Sequence, residues 1–358
     1  MCRLLFCLVS LVASVHSLSQ AIAYIGESSN FQTNRVTGWV RFVQQNPTDD
    51  FVTVTGTISG LAPGDHGFHV HQFGDMRSTT DLDTLGTHFI VNCNDDPIQN
   101  ISCTSDQQHG IPPAATRHPG DMGNINVNSN GVAVINKVLA QGKMSLSDVL
   151  RSVVGRTVLV HQGMDFGTQP YGNATGPEAF GVIGKENIAS NGATAPNVPP
   201  VQAAIAVQTG LGSAGVGVNG VVWISKFDFS ATNPTLKTDL LGLPAGQHAI
   251  GLYQFGQLTN DTMNYGNLIE SVVVSSSGPT ALRQTVTLAG TTVLSYVGTM
   301  AVIFSGGAVG TFQDALSMGV VGLANEGVDF LPATNAATVP MAAFSGAIFV
   351  LASLLFTH

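Results

Sequence analysis

Along most of the chain, apolar and polar positions alternate in short runs. "FVTVTGTI" at 51–58, "GVAVINKV" at 131–138 and "TVLVHQ" at 157–162 are the clearest, with Gly, Asn, Asp and Ser between them. A period of two puts every second side chain on one face, so each run predicts a strand with one buried side. Many short strands with few helical signals predict an antiparallel β-sandwich or barrel. One stretch, "SLSDVLRSVVG" at 145–155, predicts a turn or two of helix.

The strand pattern occurs twice. "QAIAYIG" at Gln20 matches "QAAIAVQ" at Gln202, "VTGWV" at Val36 matches "VNGVV" at Val218, and "GLAPGDHGFHVHQFG" at Gly60 matches "GLPAGQHAIGLYQFG" at Gly242, all at an offset of 182. "MGNI" at Met122 then pairs with "YGNL" at Tyr265, and Gly155 with Gly298, at 143; "FGVIG" at Phe180 pairs with "MGVVG" at Met318, at 138. Ordered matches in register imply an internal duplication. The second copy is shorter by 39 residues (182 minus 143) between its "QFG" and "GN" landmarks. The framework is therefore expected to persist while long loops are cut back. "NIASNGATAPNVPP" at 187–200 reads as a linker. The expected organisation is a first domain at 20–186, a linker at 187–200, and a second domain at 201–326.

The ends and the charge narrow the setting. Arg3 precedes an apolar run from Leu4 to Val15 and small residues follow, which predicts a secretory signal over residues 1–19. At the other end, Met341 to Phe356 is almost wholly apolar, with no basic flank. A spacer at 327–340 and a tail at 341–358 predict a glycolipid (GPI) attachment signal, with Asn335 or Asn325 as the attachment site. A short membrane-spanning helix is the other reading of that tail. Only 10% of residues are charged and the net charge is −9, which argues against nucleic-acid binding. Once the signal is gone, Cys93 and Cys103 remain, and in an oxidising compartment they are expected to form a disulfide. Acceptor sequons at Asn100, Asn173 and Asn260 fit the same route and predict glycosylation.

Candidate chemistry is concentrated in the first copy. In "HGFHVHQFGD", His69 and His71 are two apart on an extended run, so both imidazoles project to one side. Neutral imidazole is a common ligand of copper and zinc. His88, His109, His118 with Asp121 in "RHPGDMGN", and His161 extend the set. The second copy has Gly251, Tyr253 and Phe304 where the first has His69, His71 and His161, and it lacks the segment that carries His88 to Asp121.

In these motifs the first copy resembles the copper/zinc superoxide dismutases. "GFHVHQFGD", "GTHF", "HG", "RHPGDMGN", "GRTVLVHQGMD" and "GVIG" follow in that family's order, over about Gln20 to Glu186. The resemblance implies an eight-stranded Greek-key β-barrel, and hence two such barrels in tandem. It implies copper ligation by His69, His71, His88 and His161, and zinc ligation by His88, His109, His118 and Asp121, with His88 shared. Asp165 falls where the family links the two sites through hydrogen bonds. The implied activity converts superoxide to dioxygen and hydrogen peroxide by copper redox cycling. A low-activity copper- and zinc-binding protein of the cell surface is the alternative.

Three departures bear on that choice. The family's framework disulfide has Leu82 and Phe180 at its expected positions, and the anion-guiding arginine is expected at Pro177. The loop between His88 and His109 is long, and the loop holding Asn173 is short. Arg77 is a candidate to replace the missing guide. Because the family pairs its barrels, the second copy is expected to dock on the first within one chain.

Overall fold

The computed structural model describes residues 18–27, 36–77, 84–91, 108–148, 150–186, 203–210, 218–226, 233–256, 266–290, 292–311 and 314–324. The first copy forms β1 (Ser19–Glu27), β2 (Thr37–Gln44), β3 (Val52–Ser59), β4 (Gly64–His71), β5 (Asp121–Val127), β6 (Val132–Leu139), β7 (Thr157–His161) and β8 (Pro177–Lys185). They close into an antiparallel barrel in the order β1-β2-β3-β6-β5-β4-β7-β8. The alternation read from the sequence decides which side faces in. On β3, Val52, Val54 and Ile58 are fully buried, while Thr53, Thr55 and Thr57 are only half-buried. Phe42, Phe68, Val70 and Val158 complete that core.

The second copy forms β9 (Ala203–Gly210), β10 (Asn219–Ser225), β11 (Thr235–Leu241), β12 (Gly246–Tyr253), β13 (Leu268–Ser276), β14 (Thr285–Thr287), β15 (Met300–Ser305) and β16 (Ala315–Leu323). Its order, β13-β12-β15-β16-β9-β10-β11-β14, is the same circle cut between β13 and β14. The cut is bridged by a side chain. Ser275 N–H donates to Gln284 Oε1 at 3.2 Å, and Gln284 Nε2 donates to Ser275 O at 3.1 Å. The molecule is thus two eight-stranded barrels, one closed and one nearly so.

The predicted helical turn at 145–155 does not form among the described residues, which are turns and bends there. Side chains capture the backbone donors a helix would need. Gln44 Oε1 accepts from Leu146 N and Ser147 N, and Ser145 Oγ accepts from Asp148 N. The second copy instead has one turn of 3-10 helix at Val293–Ser295. The first strand begins at Ser19, one residue before the expected start.

The two barrels touch through matched backbone. Gly74 N–H donates to Leu323 O at 3.0 Å, and its counterpart Gly256 N–H donates to Lys185 O at 3.1 Å. Leu323 N–H donates to Gly155 O at 2.7 Å, and Lys185 N–H donates to Gly298 O at 2.8 Å. Exchanging the two copies turns each bond into its partner, which is an approximate two-fold relation. Such contact leaves no room for side chains: a Cβ on Gly74 would lie 2.9 Å from Gly322 Cα. Val182 of β8 joins Ala249, Tyr253, Met300 and Phe304 in one apolar cluster across the boundary.

Candidate metal centre

β4 supplies the first two histidines. Its Phe68 and Val70 point into the core, which turns His69 and His71 to the opposite side. β7 runs antiparallel to β4 and ends at His161. His88 is bridged to His71 just before the 88–91 segment crosses β4: Phe89 N–H donates to Val70 O at 2.8 Å, and Val70 N–H to Gly120 O at 2.9 Å. That crossing brings His118 and Asp121 over the barrel wall. All six histidines and Asp121 are at most 5% exposed.

The side chains gather into two groups that share His88. Ligand-type atoms of His69, His71, His88 and His161 all lie within 4.8 Å of one another, and so do those of His88, His109, His118 and Asp121. Ring centres are 4.0 Å apart for His69–His88 and 5.3 Å for His88–His109. The outer nitrogens are hydrogen-bonded. His71 Nδ1 donates to Gly86 O at 2.8 Å and His161 Nδ1 to Thr175 O at 2.7 Å. His69 Nε2 donates to Asp165 Oδ2 at 3.0 Å, and His109 Nε2 to Asp165 Oδ1 at 2.9 Å.

The inner nitrogens are the informative ones. His69 Nδ1, His71 Nε2 and His161 Nε2 are buried and make no hydrogen bond. Buried polar atoms are normally paired, so a convergent set of unpaired lone pairs calls for another acceptor of electrons. His109 Nδ1 also makes no hydrogen bond, although Asp121 Oδ2 is 3.0 Å away. Two atoms that both offer lone pairs at that range suit a cation between them. This donor set, four imidazoles beside three imidazoles and a carboxylate, fits copper and zinc.

Electrostatics favour the ligating forms of His69, His71 and His161. Burial, followed by the nearness of His88, pulls His69 down to about 3; burial takes His161 to about 4 and His71 well below the usual range. They are neutral at pH 7, as ligands must be. His109 differs: burial opposes its charge, but the carboxylates of Asp121 and Asp165 outweigh it and raise the group to about 9, so zinc would bind there by displacing a proton. Burial works against both carboxylates too, yet their histidine partners hold Asp121 and Asp165 well below the ordinary carboxylate range. Gly172 is required beside this network. Its φ is +80°, and a Cβ there would meet Asp165 Oδ1 and, at 2.7 Å, His109 Nε2.

Some features were not legible from residue types. The carbonyls of Gly86 and Thr175 orient two rings, and every residue has a carbonyl. Tyr171, half-exposed, lies over His88 and His118 at 5.4 and 5.9 Å between ring centres. Glu178 is buried and lies 3.1 Å from His66 Nδ1. Arg77 does not face the histidines: it pairs with Asp75 at 2.5 Å and lies over Trp223 of the second barrel. Phe180 packs with Leu85 and Leu159. In the second barrel Tyr253 and Phe304 are buried against each other, rings 6.3 Å apart. Asn173 is exposed. Leu82, Cys93, Asn100, Cys103, Asn260, Asn325, Asn335 and both chain ends lie outside the described residues.

A sequence model of the copper/zinc superoxide dismutase family matches residues 36–183. A Brassica juncea protein named superoxide dismutase [Cu-Zn] 2 is 40% identical over 156 residues, 42% of this chain and 90% of that one. An Arabidopsis thaliana protein named superoxide dismutase [Cu-Zn] 3 is 37% identical over 163 residues, 44% of this chain and 87% of that one. Among solved structures, the clock protein EA4 is 32% identical, covering 47% of this chain and 96% of that chain with a TM-score of 0.36. The family match ends before β9.

Proposed function

We propose, from the premise that this chain belongs to the copper/zinc superoxide dismutase family, that His69, His71, His88 and His161 hold its copper and that His88, His109, His118 and Asp121 hold its zinc. The protein is a superoxide dismutase, an oxidoreductase that uses copper and zinc. Copper, when bound, supplies the one-electron steps that turn two superoxide anions and two protons into dioxygen and hydrogen peroxide. The observation that carries the residue assignment is the set of unpaired inner nitrogens on His69, His71 and His161.

The chain's own residues divide the remaining work. His88 Nδ1 lies 2.8 Å from Asp121 Oδ1 on the zinc side, so a zinc ion held by both would fix that ring and leave Nε2 on the side of His69, His71 and His161. Nε2 is then the atom that takes up and returns a proton between the two half-reactions. Asp165 ties His69 to His109, so the two groups keep their spacing. Asn124 holds Asp165 in turn: Asp165 N–H donates to Asn124 Oδ1 at 2.7 Å, and Asn124 Nδ2 donates to Asp165 O at 2.9 Å.

The assignment is tested by metal analysis and superoxide turnover on the metal-loaded protein. His71→Ala should remove copper and at least ~100-fold of the activity while zinc stays bound, in keeping with the loss of a ligand. Failure of the unaltered protein to take up copper would overturn the assignment.

The same proposal extends to location and assembly. The apolar segment at 4–15, the sequons and the apolar tail at 341–356 support an enzyme carried to the outer face of the membrane and held there by a glycolipid. Release from intact cells by a phospholipase specific for such anchors supports the lipid; release only after deletion of residues 341–358 points to a spanning helix. The second barrel acts as an internal partner subunit for the first. Support for that reading comes from the reciprocal bonds of Gly74 with Leu323 and of Gly256 with Lys185.

A further inference from the structure

The loop between His71 and His88 meets the second barrel along its described outgoing limb. Its outgoing limb is held by the second barrel: Gly74 N–H donates to Leu323 O, and Phe73 packs on that barrel's core. Met76 joins the apolar cluster shared by both barrels. Arg77 comes next, its guanidinium 5.1 Å from the centre of the Trp223 ring, within cation–π range.

The returning limb hangs on the outgoing one. Arg77 Nε donates to Asp75 Oδ1 at 2.8 Å and Nη2 to Oδ2 at 2.5 Å, and Asp75 is fully buried. Thr84 Oγ1 donates to Asp75 O at 2.6 Å, and Phe73 N–H to Leu85 O at 3.0 Å. One residue further on, Gly86 O accepts from His71 Nδ1, and two beyond that is His88. The position where the resemblance puts a barrel cysteine holds Phe180, packed on Leu85, so apolar contacts hold the loop there.

The clamp is built on one side only. Position 223 corresponds to 41 at the offset of 182, and 324 to 186 at the offset of 138. In the first barrel Arg41 pairs with Glu186 at 2.5 Å. In the second, Trp223 and Ala324 occupy those places in an apolar cluster with Ala203 and Ile205. Arg77's own counterpart is Thr259. The second barrel has therefore exchanged an ion pair for an aromatic seat, and the seat faces the copper loop.

We infer that Trp223, in the barrel without metal ligands, is a positioning residue for copper: it seats Arg77, Arg77 fixes Asp75, and Asp75 holds the limb whose Gly86 carbonyl orients His71. The inference rests on the ligand assignment and on the docked arrangement of the barrels.

The test uses the full chain loaded with copper and zinc. Trp223→Leu, Trp223→Phe, Arg77→Gln and the Trp223→Leu/Arg77→Gln double variant are compared with the unaltered protein. The readouts are the rate of copper loss to EDTA, the cupric electron paramagnetic resonance spectrum, and small-angle scattering for the spacing of the barrels. Trp223→Leu and Arg77→Gln should each speed copper loss about tenfold, the scale on which residues that orient a ligand act. Both should change the spectrum. Trp223→Phe, which keeps a ring, should stay within about twofold, and the double variant should be no faster than either single one, because the residues act in series. Arg77→Gln leaves the second barrel's core intact, so the test does not hang on the stability of Trp223→Leu. Unchanged copper loss in both single variants with the barrels still docked would overturn the clamp alone. Separated barrels in the unaltered chain would overturn the docking and the clamp with it.

Discussion

The first barrel and the second share a strand order, a pair of framework bonds and almost none of the chemistry. His66 Nδ1 lies 2.8 Å from His161 O and its Nε2 lies 2.8 Å from Ala62 O; His248 makes the same contacts with Phe304 O and Pro244 O, at 3.2 and 2.9 Å. That histidine persists in both copies, so its role is to fasten β4 or β12 to the neighbouring loops. His69, His71 and His161 persist in one copy only, and their loss in the other leaves the β-framework standing. The barrel is thus held by its apolar alternation and its glycines, and the candidate metal ligands are an addition to one outer wall. Where the wall is no longer needed for ligands it fills with aromatic rings, Tyr253 against Phe304, which protects the same surface by burial.

Removing one barrel is the most severe way to break the comparison. A chain of residues 20–188 exposes Gly74, Met76, Val182 and the carbonyl of Lys185, all now in contact with the second barrel. Each Å² of that apolar surface costs about 25 cal/mol when wetted. The fragment should self-associate or aggregate, and lose at least half of its copper under conditions where the full chain keeps it, as expected of a ligand set whose supports are gone. A fragment that stays monomeric by sedimentation, with full copper and full activity, would show that the second barrel does nothing for the first.

A milder test exchanges one interface residue for its counterpart. Lys185 and Leu323 are equivalent, and Leu323 is buried. Burial lowers Lys185 to about 8. The unfolded chain then binds more protons than the folded one between that value and the ordinary lysine range, so stability should rise with pH from about 8 to about 10.5 and be lowest below it. Lys185→Leu should flatten that rise and add on the order of 1 kcal/mol at pH 7. Denaturant melts of both proteins across the window measure it. Parallel pH profiles would rule out a contribution from Lys185.

The smallest expected effect concerns encounter with the substrate anion. Pro177 pairs with His161 in the β7–β8 ladder, and the nearest charge along the strand is Glu178. Arg77 is turned away to Asp75 and Trp223. Pro177→Arg should raise turnover by roughly two- to tenfold at low salt and make it fall with ionic strength, since a nearby cation steers an anion until salt screens it. A rate already at the diffusion limit in the unaltered protein, or no new salt dependence in the variant, would argue against the missing charge.

Much of this was legible in the residues. Period-two alternation located β3, β6 and β7, because a half-buried strand must alternate. Register-true repeats located the second barrel. The seven candidate ligands were legible through the motifs that the first copy shares with the copper/zinc superoxide dismutases, and the structure brings all seven into two groups sharing His88. The helical turn expected at 145–155 failed because Gln44, about a hundred positions away, captures its backbone donors. No local pattern carries that information.

What the sequence determined by itself is what depends on spacing within a segment: the strands, the duplication, the pairing of His69 with His71 on one face, and the loss of both in the second copy. Only the tertiary structure decided which nitrogen of each ring is free to ligate, because that depends on carbonyls and carboxylates delivered by other segments, such as Gly86, Thr175 and Asp165. It also decided the direction of Arg77. A charged side chain with no fixed partner in the sequence is placed by whatever lies within its reach, and here that is Asp75 two residues on one side and Trp223 across the barrel boundary. Long-range contact sets both outcomes: the first depends on segments joined when the first barrel closes, the second on the meeting of the two barrels.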